Sequence, residues 1–263
     1  METSEEVRQL NEIKVYIIES LRPGDKRTGE DLKDTLRQMC IDKGFSFSDF
    51  DYLYLPVDDK SSLAEAFENI EKEVKYNNIF PIVQLECHGY ENGIGLQVSS
   101  GEKVEWEELF NCLRSINIAS SNLLMLNLSM CFGESVVRYI NSKERAPFRG
   151  VVCTQGKVYY ETLENAWKHF YENLIDSSAE YGFSKLAQES NLLYLSQDFI
   201  FDWHFNLKKQ DPEIFDNYRE KELEEMYLQE GTLAIDVNLY KEWVAKEQAK
   251  IKEKYKGYFC FKI

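Results

Sequence analysis

The chain has 263 residues, 43% hydrophobic and 14% aromatic, which is enough to bury a sizeable core and too apolar for a disordered polymer. Its formal charge of -15 argues against a nucleic-acid partner, because phosphate contacts need a basic face. No run approaches the ~20 apolar residues of a membrane helix, and no signal peptide precedes the first charged turn. The six cysteines show no CxxC or zinc spacing and no disulfide-scaffold density, so a reducing cytoplasm is expected and no metal or cofactor is called for.

Lys14 to Ile18 predicts a strand, closed by a turn at Pro23-Gly24. Thr28-Gly29-Glu30-Asp31 opens a helix with Leu32, Leu36 and Met39 at helical spacing. Phe50 to Leu55 reads as a second strand, and Leu63, Phe67, Ile70 and Val74 share one face of a second helix. Phe80 to Cys87 is an apolar strand leading into His88-Gly89. Gly93, Gly95 and Leu96-Gln97-Val98 suggest a hairpin, followed by a helix over Val104 to Leu113. Leu123 to Met130 is a further apolar strand, running into Cys131-Phe132-Gly133 and a short helix through Val136 to Ile140. Arg149 to Cys153 is the next strand, and Leu163, Ala166, Phe170 and Leu174 align on the helix after it. This strand–helix alternation predicts an α/β fold with a mainly parallel sheet and helices on both faces.

From about residue 176 the texture changes. Leu192 to Leu195 and Phe199 to Phe201 remain apolar, but 207–256 is dense in Lys and Glu, predicting helices near 212–229 and 237–256. Tyr258 to Phe261 reads as a final edge strand. The expected organisation is a core over 1–175 and a charged helical extension over 176–263, usually a solvated surface.

In open α/β sheets the functional crevice lies outside the carboxyl ends of the strands, and two such ends here carry His88 and Cys131. A thiolate is a strong nucleophile, and an imidazole titrating near neutrality can take or hold its proton. Cys131 just before a helix would feel the positive end of the helix dipole. Gly89 and Gly133 leave room for a substrate backbone, and the N–H groups of Gly89 and Cys131 can face a developing oxyanion. Together these are nucleophile, base and oxyanion donors on neighbouring strand ends.

The order of these features from about 77 to 175 resembles the caspase-like, clan CD cysteine peptidases, in particular their CHAT branch. The matching pieces are the strand into His88-Gly89, the hairpin Gly95 to Gly101, the helix Val104 to Leu109, the strand into Cys131-Phe132-Gly133, Arg149 to Val152, and Phe170-Tyr171-Glu172-Asn173-Leu174. The resemblance implies hydrolysis of peptide bonds in a protein substrate by a His88–Cys131 dyad. It also implies, by analogy with small bacterial relatives, a stress or defence setting under an activating protein partner or signal. Phe132 and Glu134 beside Gly133 depart from the glycine-rich turn common in CHAT domains.

Relatives that select basic P1 residues use acidic pocket groups, while caspases proper hold Asp with Arg. Ser129, two residues before the nucleophile, and Glu161, near a position often acidic in CHAT domains, are the candidate substrate-binding residues. They imply cleavage after a basic or small neutral residue. A catalytically silent caspase-like adaptor is the alternative; the presence of both His88 and Cys131 speaks against it. Cys87, His169 and His204 read as structural.

Overall fold

The computed structural model describes residues 13–44, 50–77, 79–176, 182–210 and 237–260. Its chain order is β1 (Ile13–Ser20), α1 (Thr28–Asp42), β2 (Asp51–Pro56), α2 (Lys60–Asn77), β3 (Phe80–Gly89), β4 (Gly95–Gln97), β5 (Lys103–Glu105), α3 (Trp106–Ala119) and β6 (Met125–Ser129). A 3-10 helix (Gly133–Tyr139) follows, then β7 (Gly150–Cys153), α4 (Tyr160–Asp176), α5 (Phe183–Glu189), β8 (Leu193–Ser196), α6 (Gln197–Gln210) and α7 (Val237–Phe259).

The sheet order is β2-β1-β3-β6-β7-β8. Every pair along it is parallel except β7–β8. The two central strands, β3 and β6, are buried almost end to end, which is why both read as nearly unbroken apolar runs. Helices α1 and α4 pack together on one face and α2 and α3 on the other. The expected α/β layering is therefore present.

Glu19 anchors the start of α1, which lacks a side-chain cap from its own N-cap residue. Its carboxylate accepts the Gly29 N–H at 2.6 Å and the Tyr54 hydroxyl at 2.8 Å, and pairs with Arg27 Nε at 2.7 Å. This fixes the β1–α1 loop against the carboxyl edge of the sheet. The hairpin β4–β5 folds off the end of β3, with His88 opposite Gln97 and Gly89 opposite Leu96.

The chain forms two compact units, one of 1–140 and 147–196, the other of 141–146 and 197–263. The first unit thus runs past the expected boundary at 175, because β8 adds an antiparallel edge strand beside β7. In the second unit the Ala146 N–H bonds to the Phe259 carbonyl at 2.9 Å, so a short internal segment groups with the C-terminal helices. Tyr258 and Phe259 end α7 rather than form a strand, and Phe259 is buried where a helical turn carries it. The helix expected near 212–229 lies outside the described residues. No helix among the described residues is long and apolar enough to cross a membrane.

Candidate active site

Strands β3 and β6 are neighbours, with Glu86 opposite Ser129. Two residues beyond that pair stand His88 and Cys131, at one edge of the sheet. The strand ends touch: a Cβ on Gly89 would lie 1.9 Å from the Cys131 carbonyl oxygen, so only glycine permits the approach. Gly133 meets the core instead, where an added Cβ would come within 3.1 Å of Cys153 Cβ and 3.2 Å of Leu128 Cβ. The space at both glycines is filled by the chain itself, not left for substrate as the sequence suggests.

The turn carrying Cys131 is held from two sides. Phe132 adopts a left-handed backbone (φ 59°), and its N–H bonds to the Gly156 carbonyl at 2.7 Å. Thr154 donates its hydroxyl to the Met130 carbonyl at 2.6 Å, and Glu134 accepts the Gly156 N–H at 3.1 Å. On the other side Ser135 donates to the Gly93 carbonyl at 2.7 Å. Glu134 thus ties this turn to the β7–α4 loop through its side chain, and Phe132 does so through its backbone. The element after Cys131 is a seven-residue 3-10 helix, too short to supply the helix dipole expected from the sequence.

The thiol and the imidazole each have a partner. Cys131 Sγ accepts the Val158 N–H at 3.4 Å and faces the Val158 carbonyl at 3.5 Å. His88 Nε2 lies 2.7 Å from Asp25 Oδ2, in the β1–α1 loop. Among the described residues, no hydrogen bond joins the imidazole directly to the thiol. The hydrogen bond from His88 is the main cause that holds the Asp25 carboxyl below its ordinary range. Asp25 is a site residue that the sequence alone does not reveal.

Ser129 is buried at the end of β6, beside Glu86. Glu86 accepts the Thr28 hydroxyl and the Gln84 amide, each at 2.7 Å, with Ser129 as a third partner. Burial pushes its carboxyl up to about 7, against the pull of these hydrogen bonds. A cavity of about 160 Å³ opens here, lined by Thr28, Glu86, Ser129, Glu164, Trp167 and Lys168 among others. The buried indole N–H of Trp167 has no partner among the described residues. Glu161 does not join this group: it is exposed in the first turn of α4 and accepts the Tyr160 hydroxyl at 3.1 Å. The acid beside Ser129 is Glu86.

A second cavity, of about 780 Å³, is lined by Val158 and its neighbours in the β7–α4 loop, by α4 and by the turn before β8. His169 lines it, exposed and 3.6 Å from Glu172. Cys87 is buried, and burial drives its thiol well above the ordinary range. His204 is buried edge-on to Trp203.

No family model matches the chain. No curated protein matches it. Among solved structures, the crystal structure of the Drosophila initiator caspase Dronc is similar to it, with a TM-score of 0.53 at 11% identity over 72% of this chain and 82% of that one. Likeness at that identity concerns the path of the backbone. The chain has a caspase-like fold.

Proposed function

We propose that this chain is a cysteine endopeptidase of the CHAT-like branch, acting on protein substrates in the cytoplasm. The observation that carries this reading is the meeting of the His88 and Cys131 strand ends, at Gly89, on the functional edge of a caspase-like sheet. Cys131 Sγ attacks the scissile carbonyl after its proton passes to His88. His88 then protonates the leaving amine, and water releases the acyl-enzyme. The N–H groups of Gly89 and Cys131 are the oxyanion donors.

The cavity at Ser129 is the proposed P1 pocket, with Glu86 and Glu164, not Glu161, as its acidic residues. It favours a basic or small neutral side chain. No arginine lines this cavity among the described residues, and Arg27, next to its Thr28, already pairs with buried Glu19. The separate engagement of thiol and imidazole supports an activating partner or signal that joins them, and a bacterial stress or defence role is the setting we propose.

Wild type and Cys131→Ala are to be incubated with a proteome-derived peptide library and new termini mapped by mass spectrometry. Cleavage by wild type alone, after Lys, Arg or small residues, is expected. Equal cleavage by both removes Cys131 from the chemistry. Faster turnover of Asp-P1 than Arg-P1 peptides overturns the specificity, and silence from both proteins leaves either the adaptor or a peptidase still awaiting its activating partner.

A further inference from the structure

We propose that Asp25 is a positioning residue for His88, fixing the imidazole through Nε2 so that Nδ1 is the nitrogen exchanging a proton with Cys131. This rests on the dyad proposed above. In the sheet order, β3 lies between β1 and β6. Asp25, in the loop after β1, and Cys131, after β6, therefore reach His88 from opposite flanks. Neutral imidazole has one N–H and one lone pair. With Nε2–H donated to Asp25 at 2.7 Å, the lone pair is on Nδ1. When Nδ1 takes the thiol proton, the ring becomes an imidazolium whose Nε2–H already faces a carboxylate, a charge-assisted hydrogen bond. The proton then leaves from Nδ1 to the amine nitrogen, and the ring returns to its starting tautomer.

Asp25 also shapes its own turn. Its N–H bonds to the Arg22 carbonyl at 3.0 Å, and its carboxylate accepts the Arg22 N–H at 2.9 Å, across Pro23 and Gly24 (φ 94°). An asparagine can make both of these bonds. Asp25→Asn therefore keeps the turn and removes the charge offered to His88.

The test uses full-length wild type, D25N, D25E and H88A, with two readouts. One is peptide turnover. The other is the rate of iodoacetamide alkylation at Cys131, read by mass spectrometry against half-buried Cys40 in the same chain. D25N is expected to keep the wild-type Tm and KM, to lower kcat about 10- to 100-fold, and to slow Cys131 but not Cys40. That loss is smaller than the ~10⁴-fold known for a buried orienting aspartate, since Asp25 keeps 35% of its side chain exposed. D25E, with the charge restored, is expected to recover part of both readouts. Because the Arg22 N–H and His88 Nε2 share one Asp25 oxygen, unchanged kcat and alkylation in D25N overturn the part given to the Asp25 charge, and a rise in both makes it a latch that holds His88 off the thiol. If wild type cleaves nothing but D25N still slows Cys131 alkylation, the positioning role stands and the peptidase reading falls. If H88A leaves that alkylation unchanged, the dyad fails and this proposal with it.

Discussion

At the residue scale, the tightest constraint is Gly89. The Cys131 carbonyl oxygen occupies the place of its missing Cβ, and both atoms belong to backbone, so no side-chain rotation relieves an overlap. Gly89→Ala must push the ends of β3 and β6 apart. We expect a loss of about 1–3 kcal/mol in urea unfolding, the usual range for overpacking, together with loss of turnover. A variant that unfolds like wild type shows that the strand ends can separate freely, and that their contact does not set the site. The sequence offers Gly89 as a gap for substrate, because a glycine beside a histidine carries no sign of what fills its space. Asp25 is illegible for a related reason. Pro-Gly-Asp is sufficiently explained as a turn, and nothing in the spacing of 25 and 88 announces a contact across 63 residues.

At the element scale, β3 and β6 each carry a polar stripe that steps in twos along one face: Gln84, Glu86 and His88 on one, Asn127, Ser129 and Cys131 on the other. Successive side chains alternate between faces, so the stripe that ends in the site residues begins deep in the core. There Tyr171 of α4 donates its hydroxyl to Gln84 Oε1 at 2.9 Å and accepts the Asn127 amide at 3.0 Å. One helix thus links both strands that end in the candidate site. Tyr171→Phe leaves two buried amide atoms unpaired, and an unsatisfied buried polar group costs about 1–3 kcal/mol. Equilibrium unfolding should show a loss of that size, and wild-type stability in the variant would mean the amides re-pair with each other.

These stripes are the available signal for Glu86, since a Gln and a Glu inside an otherwise apolar strand need partners. The rest of the element pattern is legible where burial is two-sided. Strands β1, β3, β6 and β7 and helices α1, α2 and α4 stand within a few residues of their expected places. The misses are elements whose residues fit either state. Leu193 to Ser196 is a short edge strand set by its antiparallel partner β7, and Tyr258-Phe259 is an apolar pair that continues a helix. Local sequence does not hold the tertiary neighbour that decides such segments.

At the scale of the whole molecule, two effects give its stability a pH dependence of the same sign. The net charge of -15 is self-repulsive, and lowering the pH towards the isoelectric point near 4.8 relieves it. Glu86 adds a local contribution. Burial raises its carboxyl from 4.5 to about 7, so between those values the folded state keeps a proton that the unfolded state has released. Its stabilising effect is complete below about 4.5 and is lost as the pH climbs through about 7. At most this is worth about 3–4 kcal/mol, because each tenfold gain in proton affinity contributes about 1.4 kcal/mol. Salt separates the two effects. At 1 M the screening length is about 3 Å, which removes surface repulsion and leaves a buried carboxyl almost untouched. In 1 M salt, wild type should therefore still lose stability between pH 5 and 7.5, while Glu86→Gln, a neutral stand-in for the protonated acid, should give a flat profile. A flat wild-type profile in salt would place all the pH dependence on the surface. It would also mean that Glu86 is ionised at neutral pH, leaving the cavity beside Ser129 with a full negative charge to offer a basic side chain.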